Sequence, residues 1–225
     1  MFFYLLLCMM SCSRTQSLYA VHHEKTPEEK YEEYIAPTED LMREHGLLNR
    51  VLIIYEEIIH LIEKQGIFDH EVLTAAVDII HDFVEQYHEK MEELYIFPIF
   101  EKHKKHTRLI KTLRTQHEAG RAITTQIKRL LARKKPLRQR DVQTIARLLR
   151  KFIRMYRAHE SREDTVIFSN VRHYLPQKDF EALAEIFEDT EHELFGKEGF
   201  EGVLKKVVSL ERQLGIDDLA IFTPQ

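Results

Sequence analysis

Four histidines and two glutamates interrupt stretches of this chain that are otherwise apolar. His45, His88 with Glu92, His117, and His159 with Glu163 each stand where a three- and four-residue rhythm of Leu, Ile, Val and Tyr would place a core side chain. An ionised carboxylate buried without a partner costs several kcal/mol even after relaxation, so a cation must meet Glu92 and Glu163. A metal ion does this. Four residues along an α-helix amount to about 40° of rotation and roughly 6 Å of rise, so each His-x-x-x-Glu pair aims both side chains at one point. Two such pairs and two single histidines supply six ligands. Nitrogen and oxygen ligands without sulfur suit iron, with manganese or zinc as alternatives, and six exceed the need of one mononuclear site. Two metals bridged by Glu92 and Glu163 use every ligand, one holding His45 and His88 and the other His117 and His159. Each then keeps open positions for water, an oxo or hydroxo bridge, or a diatomic ligand.

Three further residues are weaker candidates. Glu44 and Glu89 adjoin His45 and His88 and read as orienting groups or a third carboxylate. His192, with Glu191 in the string EDTEHELFG, reads either as a cover over the mouth of the site or as a solvated surface residue. His81 shares a face with His88 but lies two turns away, about 10 Å along the axis, and reads as a core or bundle-end residue. The remaining seven of the 13 histidines, His22, His23, His60, His70, His103, His106 and His173, fall in polar stretches and read as surface. Tyr55, Tyr87, Tyr95 and Tyr156 lie in or near the stripes, where packing and electronic tuning look alike. A ferritin-like di-iron arrangement is also considered, because Glu-x-x-His occurs at Glu57 to His60 and Glu85 to His88. It needs glutamates from the other two helices, and Glu57 and His60 lie off the apolar stripe.

The elements that must position these residues are helical. The 225 residues include only 7 Gly and 6 Pro, too few for the many turns of a β fold, and long uninterrupted stretches remain. The first helix is predicted from a cap at Thr38 to Gly66, and the second from Asp69 to about Ile99 with Pro98 as a kink or late break. The third runs near Thr107 to Arg133. After a Lys134-Lys135-Pro136 loop, the fourth carries Ile145, Leu149, Phe152, Tyr156, His159, Glu163 and Val166. Two shorter helices follow, about Gln177 to Leu194 and Phe200 to Leu214. The expected fold is all-α, an antiparallel four-helix bundle over 37–175 with additional C-terminal helices in 176–225. No internal repeat is read beyond the helix-turn-helix rhythm.

Both cysteines, Cys8 and Cys12, lie near the start, so thiolate catalysis and thiolate metal sites are excluded from the folded part. The run MFFYLLLCMM has the size of a signal-peptide core, and Met10-Ser11-Cys12 resembles the end of a lipoprotein signal. Residues 1–20 are therefore read as a signal or lipoprotein signal and 21–36 as a linker. Export to the cell envelope or periplasm, with Cys12 lipidated, is the expectation, and a cytoplasmic protein is the alternative. Net charge is only −4, yet Lys102 to Arg154 holds 18 basic residues against Glu118 and Asp141. Neighbouring acidic and basic helices account for this best, ahead of a basic face against anionic lipid. Nucleic acid ranks last, since no binding motif or aromatic interleaving accompanies the charge.

The order His, His-x-x-x-Glu, His, His-x-x-x-Glu on four helices resembles the hemerythrin-like (HHE cation-binding) domain. The strings REHGLLNRVL, EQYHEKMEELYIFPIFEKH, QHEAGR and YRAHESREDTVIF look like bacterial members, over about Thr38 to His173. Oxygen-carrying hemerythrins have a second histidine four residues after the one on the third helix, where this chain has Arg121. Their last carboxylate lies five residues after its histidine, against four here. The resemblance is therefore to the four-His, two-Glu subset. It implies a non-haem di-iron centre, oxo- or hydroxo-bridged, that binds or reacts with dioxygen, nitric oxide or peroxide in sensing, redox or detoxification. Peroxidase- or catalase-like turnover, and iron storage, delivery or repair, are the alternatives, with any redox partner unidentified.

Overall fold

The computed structural model describes residues 35–224. The expected signal, the lipidation site at Cys12 and nearly all of the expected linker lie outside them.

Helix α1, Pro37–Gln65, opens two residues earlier than expected. Ala36 occupies the cap position with no side-chain bond, and Pro37 takes the first helical place, where its missing N–H costs nothing. Thr38 is thus inside the helix. Gly66 ends it in the left-handed conformation (φ 73°), with its N–H on the Ile62 carbonyl. Asp69 caps α2 as expected, its side chain accepting from the N–H groups of Glu71 and Val72.

Helix α2 is continuous from His70 to Lys102 but not uniformly wound. An α-helical start, His70–Ile79, gives way to a π-helical stretch, Ile80–His88, then an α turn, Glu89–Met91. A second π stretch, Glu92–Ile96, precedes Phe97–Lys102. Pro98 therefore does not end the helix. The wide turn just before it takes up the ring and the missing donor. Helix α3 spans Thr107–Leu131. Helix α4 spans Gln139–Arg162 and continues through a π turn, Glu163–Ile167, and a 3-10 turn, Phe168–Asn170, to Val171–Tyr174.

Short connections make neighbours antiparallel. Helix α1 packs on α2 and α4, and α3 packs on the same two, giving a four-helix ring. Its core is closed by large side chains such as Tyr55, Phe152, Phe83 and Phe100, each 1% exposed or less. Helices α5, Gln177–Phe195, and α6, Gly199–Leu214, follow, and both lie against α1. Among the described residues there is no strand, and no helix is long and apolar enough to cross a membrane. The basic stretch lies largely along α3 and α4. Part of it is neutralised by neighbours: Arg150 pairs with Glu63, Arg157 just beyond it pairs with Glu56 at 2.7 Å, and Lys128 pairs with Asp78 at 2.7 Å.

Candidate metal centre

The six side chains that interrupt the apolar stripes meet in the middle of the bundle, and none is more than 3% exposed. They meet as two histidine pairs. His45 Nε2 lies 3.0 Å from His88 Nε2, and His117 Nε2 lies 3.0 Å from His159 Nε2. The two carboxylates join the pairs. Glu92 reaches His88 with one oxygen (3.7 Å) and His117 with the other (3.3 Å). Glu163 Oε2 lies 3.5 Å from His45 and 3.0 Å from His159.

All four rings are turned the same way, Nε2 inward and Nδ1 outward against an oxygen acceptor. His45 meets Asp164 (2.7 Å), His88 meets Glu44 (2.5 Å), His117 meets Glu93 (3.0 Å) and His159 meets Gln116 (3.0 Å). An acceptor at Nδ1 fixes the tautomer and leaves a lone pair at Nε2, the form in which imidazole binds a metal. Two such lone pairs at 3.0 Å repel unless a proton or a cation lies between them. Two nitrogens each about 2.1 Å from one ion and about 90° apart would be about 3.0 Å from each other.

The carboxylates carry the same message. Among the described residues, none of the four oxygens of Glu92 and Glu163 meets a hydrogen-bond donor in good geometry, although both side chains are wholly buried. Burial pushes Glu163 up to about 7, and burial together with the charge of Glu163 raises Glu92. Within the second histidine pair burial opposes both charges. Glu92 and Glu93 nevertheless hold His117 up at about 10, while burial and the charge of His117 press His159 down to about 3. Each pair thus has room for one positive charge, a proton or a metal ion, between its two rings. These buried His and Glu groups fit a metal site.

A local repeat underlies the arrangement, and the reading of the sequence missed it. His88-x-x-x-Glu92-Glu93-x-x-Ile96-Phe97 on α2 matches His159-x-x-x-Glu163-Asp164-x-x-Ile167-Phe168 on α4. In both, the glutamate carbonyl accepts from the N–H five residues on, Phe97 or Phe168, so the helix widens by one residue at that point. The widening brings the phenylalanine onto a histidine of a neighbouring helix. Phe97 stacks on His117 with ring centres 5.6 Å apart, and Phe168 stacks on His45 at 5.4 Å. The acidic residue after each glutamate accepts from that same histidine. On α1 and α3 the residue preceding the single histidine, Glu44 or Gln116, accepts from the paired one. Glu93, Asp164, Gln116, Phe97 and Phe168 were not singled out from the sequence. The recurring Glu-acidic-x-x-Ile-Phe string was the signal that could have found them.

The weaker candidates part company. Glu44 lies against His88 rather than beside its own neighbour His45. Glu89 accepts from the Tyr156 hydroxyl and pairs with Arg121 at 2.7 Å, so its nearest cation is a guanidinium. Arg121 also holds Glu93 at 2.6 Å. Gly120 makes room for this, since a Cβ there would lie 2.1 Å from the Tyr156 hydroxyl. His192 is exposed and away from the six residues, while its neighbour Glu191 is buried. Helix α5 thus turns its carboxylate, not its imidazole, inward. His81 is partly exposed and pairs with Asp82, and His60 is exposed.

A helical bundle with a buried, donor-poor set of imidazoles and carboxylates is a cation-binding protein. The hemerythrin HHE cation binding domain matches residues 36–198, and the chain belongs to that family. Similar proteins occur in Mycobacterium bovis and in two strains of Mycobacterium tuberculosis. Each is 40% identical over 199 residues, which is 88% of this chain and 77% of theirs, and each is described only as an uncharacterized protein. No solved structure matches significantly.

Proposed function

We propose that the protein carries a non-haem di-iron centre and uses it to bind or react with dioxygen, nitric oxide or peroxide. One observation carries this reading: Glu92 and Glu163 each reach both histidine pairs, so the six side chains form two linked positions. Imidazole and carboxylate ligands support iron in more than one oxidation state, which is the chemistry such a centre supplies when bound. The chain's own residues set the terms. Asp164, Glu44, Glu93 and Gln116 hold each ring in one tautomer, and Phe97, Phe168 and the surrounding core exclude bulk water. Burial of all six side chains admits only a very small reactant. Arg121 occupies the place of an additional histidine, so reversible oxygen carriage is disfavoured and redox or sensing chemistry is favoured.

Mixing iron-loaded protein with hydrogen peroxide, and separately with nitric oxide and dioxygen, tests the reading. Rapid peroxide consumption would assign an enzyme, and a stable reversible absorption change with either gas would assign a binding or sensing role. Iron-loaded protein that responds to none of the three would refute it. The envelope location and lipidation at Cys12 are a separate proposal, resting on the MFFYLLLCMM run. The mass of the native N-terminus tests it, and an intact Met1 would refute lipidation.

A further inference from the structure

A second group of acidic side chains lies at the edge of the bundle, outside the six residues. Asp40 and Glu44 are one turn apart on α1, and Glu191 comes from α5. One oxygen from each can be chosen so that all lie within 4.8 Å of one another, and all three residues are buried. Three carboxylates gathered in a low-dielectric place keep their charges only beside a cation. Arg43 supplies one. Its guanidinium lies 2.8 Å from Asp40 and 4.1 Å above the Phe200 ring. With all three carboxyls ionised, two negative charges remain beyond the one that Arg43 offsets, the amount one divalent cation neutralises.

Two of the side chains are built to face a ligand. Glu44 has its Oε2 held by His88 Nδ1, while Oε1, on a side chain only 1% exposed, meets no donor in good geometry among the described residues; the Tyr87 hydroxyl lies beside this carboxylate but donates to the Phe187 carbonyl at 3.4 Å. Glu191 is held from the other side, its Oε1 accepting from the Phe200 N–H at 2.9 Å while Oε2 meets no donor. The backbone is shaped around that carboxylate. Gly199 sits at φ 43°, and a Cβ there would lie 2.1 Å from Glu191 Oε1. Helices α5 and α6 thus fix a carboxylate whose free oxygen has no partner among the described residues.

We propose that Asp40, Glu44 and Glu191 form a separate, all-oxygen site for a hard divalent cation, of the manganous or ferrous class, joined to the bundle core through the Glu44 carboxylate. Carboxylate oxygens select such ions, whereas the imidazole-rich core also takes zinc. This site shares Glu44 with the backing of His88 but does not depend on the chemistry proposed for the core.

The test is a manganous-ion titration of the full chain, read by electron paramagnetic resonance of free ion, on wild type, Glu191→Gln, Asp40→Asn and Glu92→Ala. Wild type should bind three ions, Glu191→Gln and Asp40→Asn two each, and Glu92→Ala should keep the one at the edge. Excess calcium should displace one ion from wild type and none from Glu191→Gln. Equal uptake by wild type, Glu191→Gln and Asp40→Asn would overturn the proposal, as would a wild type from which calcium displaces nothing. One ion in wild type and none in Glu191→Gln would sustain this site while refuting the core reading. The two neutral variants remove like-charge repulsion, so the metal-free thermal midpoint should not fall.

Discussion

The two halves of the centre match contact for contact, except at a few positions. On one side His45 and His88 are backed by Asp164 and Glu44, both carboxylates. On the other His117 and His159 are backed by Glu93, a carboxylate, and Gln116, a neutral amide. Arg121 presses on the second half through Glu93, where the first half has Asn49 facing Glu160. A carboxylate behind an imidazole raises its basicity, while an amide or a nearby guanidinium does not. The same backbone device therefore builds two unequal positions. The half with His45 and His88 should hold its metal more tightly, and the half with His117 and His159 should exchange more easily.

The largest effects should come from the residues the halves share. Measured in a Glu191→Gln background, which empties the edge site, Glu92→Ala or Glu163→Ala removes an oxygen from both core positions, so metal content should fall from two per chain to below one. His117→Ala should leave about one and His60→Ala two, as measured by elemental analysis. Equal content in all of these variants would show the ligand set to be wrong. Next come the residues that make the halves differ. Gln116→Glu should tighten the weaker position by about tenfold or more, the scale on which such backing groups act. Competition with a chelator measures this, and an unchanged affinity would break the comparison.

Gly120→Ala belongs to the second half alone. Its methyl group would meet the Tyr156 hydroxyl and disturb Glu89 and Arg121, at a cost of about 1–3 kcal/mol typical of overpacking. Thermal unfolding should show it, and a neutral result would mean that Tyr156 moves freely. The smallest effect concerns Glu85, three residues before His88, where α4 has Tyr156. Burial pushes this carboxyl up to about 7. Its folded pKa is thus above the unfolded value near 4.5, so the folded state holds the proton longer. That contribution is complete below about pH 4.5 and is lost as pH rises through about 7. In metal-free protein Glu85→Gln should therefore gain on wild type over that interval, and a pH-independent difference in midpoint would contradict the assignment.

Much of this was legible in the sequence for a simple reason. A buried histidine or glutamate in a run of Leu and Ile breaks a strong periodic signal, so the six side chains and their helices stood out. The all-helical fold followed from the same periodicity. The π turns at Glu92 and Glu163 did not stand out, because an inserted residue shifts the stripe by only one place. Glu93, Asp164 and Gln116 resemble ordinary exposed polar residues, and only their packing distinguishes them. The reading of His192 stayed open between cover and surface for a related reason. Adjacent positions on a helix point about 100° apart, and the start of α5 was not fixed closely enough to choose between them.

The central claim is that the bundle holds two metal ions linked by Glu92 and Glu163. Elemental analysis of protein purified from iron-replete cells, taken with its absorption spectrum, tests it most directly. Two metals per chain in the core, predominantly iron, is the predicted result. Fewer than one iron per chain, with no other metal in its place, would contradict it.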